Sequence, residues 1–164
     1  MMYVSVTKKI VIILGSFLVI GGLIITGLLY FNSPSYKVSQ LESEWNINLP
    51  NSIKLEYDTK KVHIDGSIHY YVFTTNSELT ETMFTQGDDI SKDDFETSFI
   101  SAMEGLGISL GKINIPSEFY PDLNENYKFL LLNRVGGGGN RHRYFYLVYL
   151  PETKRIFICN QVSQ

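Results

Sequence analysis

The sequence predicts an α+β protein: an N-terminal transmembrane helix, then one antiparallel sheet of about five strands with a helix packed on one face. Three observations predict it. Residues 10–31 form an uncharged apolar run. After Ser91, the residues Phe95, Phe99, Ala102, Met103 and Leu106 recur at helical spacing. Around that helix lie five short β-patterned segments, and where turns separate them the connections are too short for parallel crossovers.

The apolar run Ile10 to Phe31 reads IVIILGSFLVIGGLIITGLLYF, 22 residues without a charge. At a helical rise of ~1.5 Å per residue it spans about 33 Å, the thickness of a hydrocarbon core. Lys8 and Lys9 flank its N-terminal end. The positive-inside rule then places residues 1–9 in the cytoplasm and the C-terminal domain outside. A cleaved signal peptide is the rival reading. It would have a shorter apolar stretch and an A-x-A-like site, and Leu28 to Ser33 offers no such site. Gly22 and Thr26 form one small-xxx-small pair, a pattern that lets helices approach closely.

Residues 32–38 read as a polar linker, with Pro34 breaking the helix. The domain then runs from 39 to 164. Ser39 to Trp45 reads as a short helix, with Ser39 and Glu42 as a capping box and Leu41 and Trp45 on one face. Trp45 is expected to plug the core. Ile53 to Tyr57 alternates apolar and polar residues, as a half-buried strand does. Asp65-Gly66 marks a turn before a second strand, Ser67 to Thr74. Ser91 caps the long helix, acids fill its first turn, and Gly105 or Gly107 is expected to stop it. Asn114 to Asn126, with Pro116 and Pro121, reads as a loop holding one helical turn at Ser117 to Tyr120. Three strands close the chain: Tyr127 to Arg134, Arg143 to Leu150 and Arg155 to Val162. Gly136 to Asn140 joins the first two, and Pro151 to Lys154 joins the last two.

Composition narrows the function classes. Beyond Lys8 and Lys9 lie 12 of the 14 basic residues and all 17 acidic ones, a net of −5. That mild acidic excess leaves no electrostatic footprint for nucleic acid. The single cysteine, Cys159, has no intramolecular partner, so the fold stands on its core. Cys159 alternates with Phe157 in an apolar run and reads as a buried strand thiol.

Two places hold candidate chemistry. His63, Asp65 and His69 carry metal-ligating atoms, yet Asp65 and His69 stand ~13 Å apart along a strand. Turn chemistry with surface histidines accounts for them, and neither a metal nor a cofactor is expected. The second place is the glycine run Gly136, Gly137, Gly138 and Gly139, which can bare backbone N–H groups to an anion. A phosphate-binding loop would continue into a helix with Lys and Ser or Thr. Here Asn140, Arg141, His142 and Arg143 lead into a strand, so a hairpin loop is the simpler reading. Arg134, Arg141, His142 and Arg143 cluster there as the one basic patch, and that patch is the expected surface for an acidic partner. The acids at 88, 89, 93 and 94 lack the spacing of a calcium loop. No G-x-S-x-G, S-x-x-K or H-E-x-x-H motif is present.

Three stretches carry a resemblance: LESEWNINLPNSIKLEY from Leu41 to Tyr57, the turn His63-Ile64-Asp65-Gly66, and YLPETKRIFI from Tyr149 to Ile158. With ten Lys against four Arg, the layout is similar to small single-pass membrane-anchored proteins of low-GC Gram-positive bacteria that have no assigned activity. The resemblance carries no catalytic residues across. The expectation is therefore a membrane-anchored extracytoplasmic domain that binds another envelope protein, as an accessory or immunity-type protein. Two alternatives stand beside it: a ligand-sensing module using the Gly136–Gly139 loop, and an envelope hydrolase with an unrecognised site.

Overall fold

A computed structural model describes residues 3–31, 33–59, 68–109, 115–136 and 141–163. The chain divides into two compact units, Met1–Ser43 and Glu44–Gln164.

In the first unit, helix α1 runs Tyr3–Phe31. Its end agrees with the edge of the apolar run. Helix α2, Pro34–Trp45, starts five residues earlier than the sequence suggests. Pro34 opens this helix rather than ending the one before. The local reason is Ser33, whose Oγ accepts a hydrogen bond from the Tyr36 backbone N–H at 3.2 Å. Ser33 is thus the N-cap and Pro34 the first helical residue, where its missing N–H costs nothing. The expected linker over 32–38 is therefore helical from Pro34 on, and Ser39 lies inside the helix.

No single helix, among residues whose surroundings are described, is long and apolar enough to cross a membrane. The stretch Leu18–Phe31 together with Pro34–Trp45, bent by 59°, passes by length and composition. A signal sequence passes the same test. The N-terminal segment therefore has the character of a membrane span or a signal sequence.

The second unit is built on five antiparallel strands: β1 Ile53–Asp58, β2 Ile68–Thr75, β3 Lys128–Val135, β4 His142–Leu150 and β5 Arg155–Ser163. Each lies within a residue of its expected bounds. Their order across the sheet is β1-β2-β5-β4-β3. The last strand is thus inserted between β2 and β4, pairing Val72 with Phe157 on one side and Val148 with Phe157 on the other.

Central position explains the burial of β4 and β5. Phe145–Leu150 and Ile156–Cys159 are buried without interruption, as expected for strands covered on both faces. Helix α4, Lys92–Ser109, covers one face. Phe95, Phe99, Ala102, Met103 and Leu106 join Tyr70, Val72, Tyr146, Val148, Phe157 and Cys159 in one buried cluster. Phe95 stacks on Phe129 with ring centroids 4.4 Å apart. Ser91 caps this helix, accepting the Asp94 N–H at 3.2 Å and donating to the Asp94 carboxylate at 2.6 Å. The helix passes through Gly105 and Gly107 instead of stopping there. Burial of the neighbouring Met103 and Leu106 offsets the ~1 kcal/mol that a helical glycine costs.

The opposite face carries Phe73, Phe145, Leu147, Tyr149, Ile156 and Ile158, all buried. Trp45 lies against Phe145 there, centroids 5.3 Å apart. Helix α3, Glu81–Phe84, was not foreseen in the sequence and approaches β3. Beyond it, the Asp88 N–H donates to the Leu131 carbonyl at 2.8 Å, which occupies part of the outer edge of β3. Gly87 makes that approach feasible. A Cβ there would fall 2.7 Å from Leu130 Cδ1 and 3.1 Å from the Leu131 carbonyl oxygen. On the other edge, β1 carries an irregularity between Leu55 and Tyr57. Arg155 ties that edge inward, donating to Glu56 Oε2 at 2.9 Å and to the Glu118 carbonyl at 2.7 Å.

Candidate functional site

The basic residues singled out in the sequence lie around the β3–β4 hairpin. Strand pairing places Arg134 opposite Arg143 and Val135 opposite His142. The Gly136 N–H donates to the Arg141 carbonyl at 2.7 Å and closes the hairpin. Gly137, Gly138, Gly139 and Asn140 lie outside the described residues.

Alternation along the strands then separates Arg134 and Arg143 from His142. Arg134 and Arg143 share the face that carries Phe145, and both turn onto the end of α2. Arg134 donates to the carbonyls of Glu44 and Trp45, the latter at 3.0 Å. Arg143 is ion-paired with Glu44. The two guanidinium carbons stand 5.4 and 5.8 Å from the Trp45 ring centroid. A helix leaves its last carbonyls unpaired and its C-terminus partly negative. Two arginines answer both needs, and Asn46, at φ 55°, turns the chain out of the helix. Arg134 and Arg143 are therefore engaged with the end of α2, while Arg134 stays exposed at the surface.

Val135 and His142 face the other way. Val135 is 61% exposed. His142 is exposed and stacks on Tyr144, centroids 6.2 Å apart with planes at 17°. Tyr144 continues onto Tyr146 at 6.3 Å. Arg141 is exposed where β4 begins, and its Cβ lies on the side that a Cβ at Gly136 would take. The face turned away from Arg134 and Arg143 thus carries one apolar side chain and one imidazole on a line of aromatic rings.

The metal candidates do not come together as a described site. His63 and Asp65 lie outside the described residues. His69 is in β2, its Nδ1 3.0 Å from the Tyr71 hydroxyl. No group of three or more His, Cys, Asp or Glu suited to a metal occurs among the described residues.

The titratable groups of the core are held neutral. Cys159 is fully buried, and burial pushes its thiol up to about 12. Burial also pushes the Tyr71 and Tyr146 hydroxyls up to about 12. Tyr70 is raised too, first by burial and then by the neighbouring Cys159 and Tyr120 charges, and it donates to the Phe119 carbonyl at 2.6 Å. Tyr127 is raised by burial and by its 2.5 Å hydrogen bond to Glu96. Each folded value lies above the unfolded one, so the stability these groups contribute is intact below pH ~9 and is lost as pH rises. We expect the unfolding midpoint to fall between pH ~9 and ~12, and Cys159 in the folded protein to resist a thiol reagent at pH 8. Rapid labelling at pH 8 without unfolding would contradict the buried position.

The structure also contains an open cleft of about 590 Å³ between residues 48–52 and 77–82. Nothing in the sequence marked it. It is made from the loop 48–52 and the segment 77–82 that leads into α3, 25 residues apart at Ser52 and Ser77, and neither holds a motif. No family model, curated protein or solved structure matches the chain.

Proposed function

We propose that this protein is a membrane-anchored, extracytoplasmic binding domain whose partner is another envelope protein. In this reading residues 10–31 are an uncleaved single-pass anchor, with Lys8 and Lys9 on the cytoplasmic side.

The exposed residues Val135, Arg141 and His142 of the β3–β4 hairpin carry the proposal. Single exposed apolar side chains are ordinary. Val135 differs in its company: exposed His142 is its strand partner, exposed Arg141 lies at the same end of the hairpin, and the other face is tied to Trp45 by two arginines. An exposed apolar contact with cations at the same end of the hairpin suits docking to an acidic protein surface.

The test is affinity purification of the full-length protein from its native membrane after mild cross-linking. A partner should be recovered in near-equal amount with the wild type and reduced with Val135→Ser and Arg141→Ser. Return of the protein alone would overturn the reading. Equal recovery with both variants would remove the hairpin from it.

A further inference from the structure

We propose that the cleft between residues 48–52 and 77–82, together with the adjoining outer edge of β1, receives an extended peptide segment of neutral or cationic character. This rests on the protein-binding reading and adds a second contact. It lies at the opposite end of the sheet from the hairpin, because Ile53 pairs with Thr75 at one end while Val135 pairs with His142 at the other.

The cleft is preformed. Its two walls are tied by the Ser52 and Ser77 hydroxyls, 3.3 Å apart. Thr75 Oγ1 fixes the backbone of Ser77 from both sides, accepting its N–H and donating to its carbonyl, each at 3.1 Å. Leu49 and Leu79 are buried and supply an apolar floor. A volume of about 590 Å³ falls in the ~300–1,000 Å³ range of ligand pockets.

The lining selects the ligand class. Asn48, Asn51, Ser52, Ser77, Thr80 and Thr82 offer amides and hydroxyls, each able both to donate and to accept. Asn48 and Asn51 make no side-chain hydrogen bond among the described residues. Glu78 is the one charged lining residue. A phosphate or carboxylate ligand would sit beside that carboxylate with no cation to compensate. No aromatic ring lines the cleft, so a sugar ring would find no flat platform. A peptide backbone presents alternating N–H and C=O groups, which is what these side chains match. The strand at the mouth completes the match. β1 is the terminal strand of the sheet, and its outer side can take an added strand. The irregularity after Leu55 confines such pairing to Ile53–Leu55, next to the cleft.

The experiment is selection of a random dodecapeptide library on the full-length protein in lipid nanodiscs. The fillers Ser77→Trp and Thr82→Trp occupy the two ends of one wall, and both side chains are exposed. Enriched peptides should lose about tenfold or more in affinity on both fillers and keep it on Val135→Ser and Arg141→Ser. No enrichment, or equal binding to both fillers, would overturn the proposal. Peptides weakened only by the hairpin variants would overturn it and leave the hairpin reading standing. Peptides lost on the fillers, in a protein that captures no cross-linked partner, would leave the cleft and remove the hairpin. Chitotriose is titrated in parallel. Saturable binding of chitotriose that the fillers abolish, with no enriched peptide, would replace the peptide by a glycan.

Discussion

Replacing Trp45 with Ala should lower the unfolding midpoint by about 10–20 °C, corresponding to a loss of ~3–5 kcal/mol. Trp45 is 1% exposed, and its ring meets Phe145 and the Arg134 and Arg143 guanidinium groups. Truncation removes a large apolar surface and leaves a cavity that the sheet cannot close, because Phe145, Leu147 and Ile158 are already packed. It also strips both arginines of their aromatic partner, worth ~0.5–1 kcal/mol each. The measurement is thermal unfolding followed by far-UV circular dichroism, since the variant has no other tryptophan to report by fluorescence. Trp45→Phe should recover more than half of the loss. A shift under ~3 °C for Trp45→Ala would mean that this side chain does not belong to the core.

Phe95→Ala tests the opposite face and should cost a similar ~3–5 kcal/mol. Phe95 is fully buried in the first turn of α4 and contacts Phe99, Phe129 and Tyr146 through its ring. Stacked and tilted pairs of this kind add ~0.5–1.5 kcal/mol beyond area burial. Native-state hydrogen exchange is the discriminating readout. Amides of α4 should lose more protection than those of β4 and β5, because α4 meets the sheet through this stripe while the two strands keep all their ladder bonds. Uniform loss across helix and strands would instead mean that α4 and the sheet open as one unit.

The two variants also mark how differently the two faces could be read beforehand. The Phe95 stripe is visible in the sequence because a helix repeats its inward positions at a fixed spacing, and all five expected members of that stripe are buried. Trp45 could be read as a core side chain, but not what it meets. Phe145 and Arg143 lie about a hundred residues away, and no local pattern encodes a partner at that distance. The same distance explains the split in the basic patch. Along the chain, Arg134, Arg141, His142 and Arg143 look alike. Only the strand register shows that Arg134 and Arg143 share a face with the end of α2 while Val135 and His142 face away from it. The start of α2 at Pro34 is a different kind of miss. Proline signals both a helix stop and a first helical turn, and the Ser33 cap decides between them.

By itself, the sequence determined the apolar N-terminal segment, the α+β class, the five strands to within a residue, the inward face of α4 and the burial of Cys159. These follow from periodicity, turn residues and capping, which act over a few positions. The tertiary structure alone decided the strand order, with β5 between β2 and β4, and the cover on the second face of the sheet. It alone decided the engagement of Arg134 and Arg143 with Glu44 and Trp45, the close approach of Gly87 to Leu130 and Leu131, and the cleft between residues 48–52 and 77–82. Each of these depends on which distant segments pack together. That is set by the summed burial of side chains from the whole domain, and no short stretch of the chain records it.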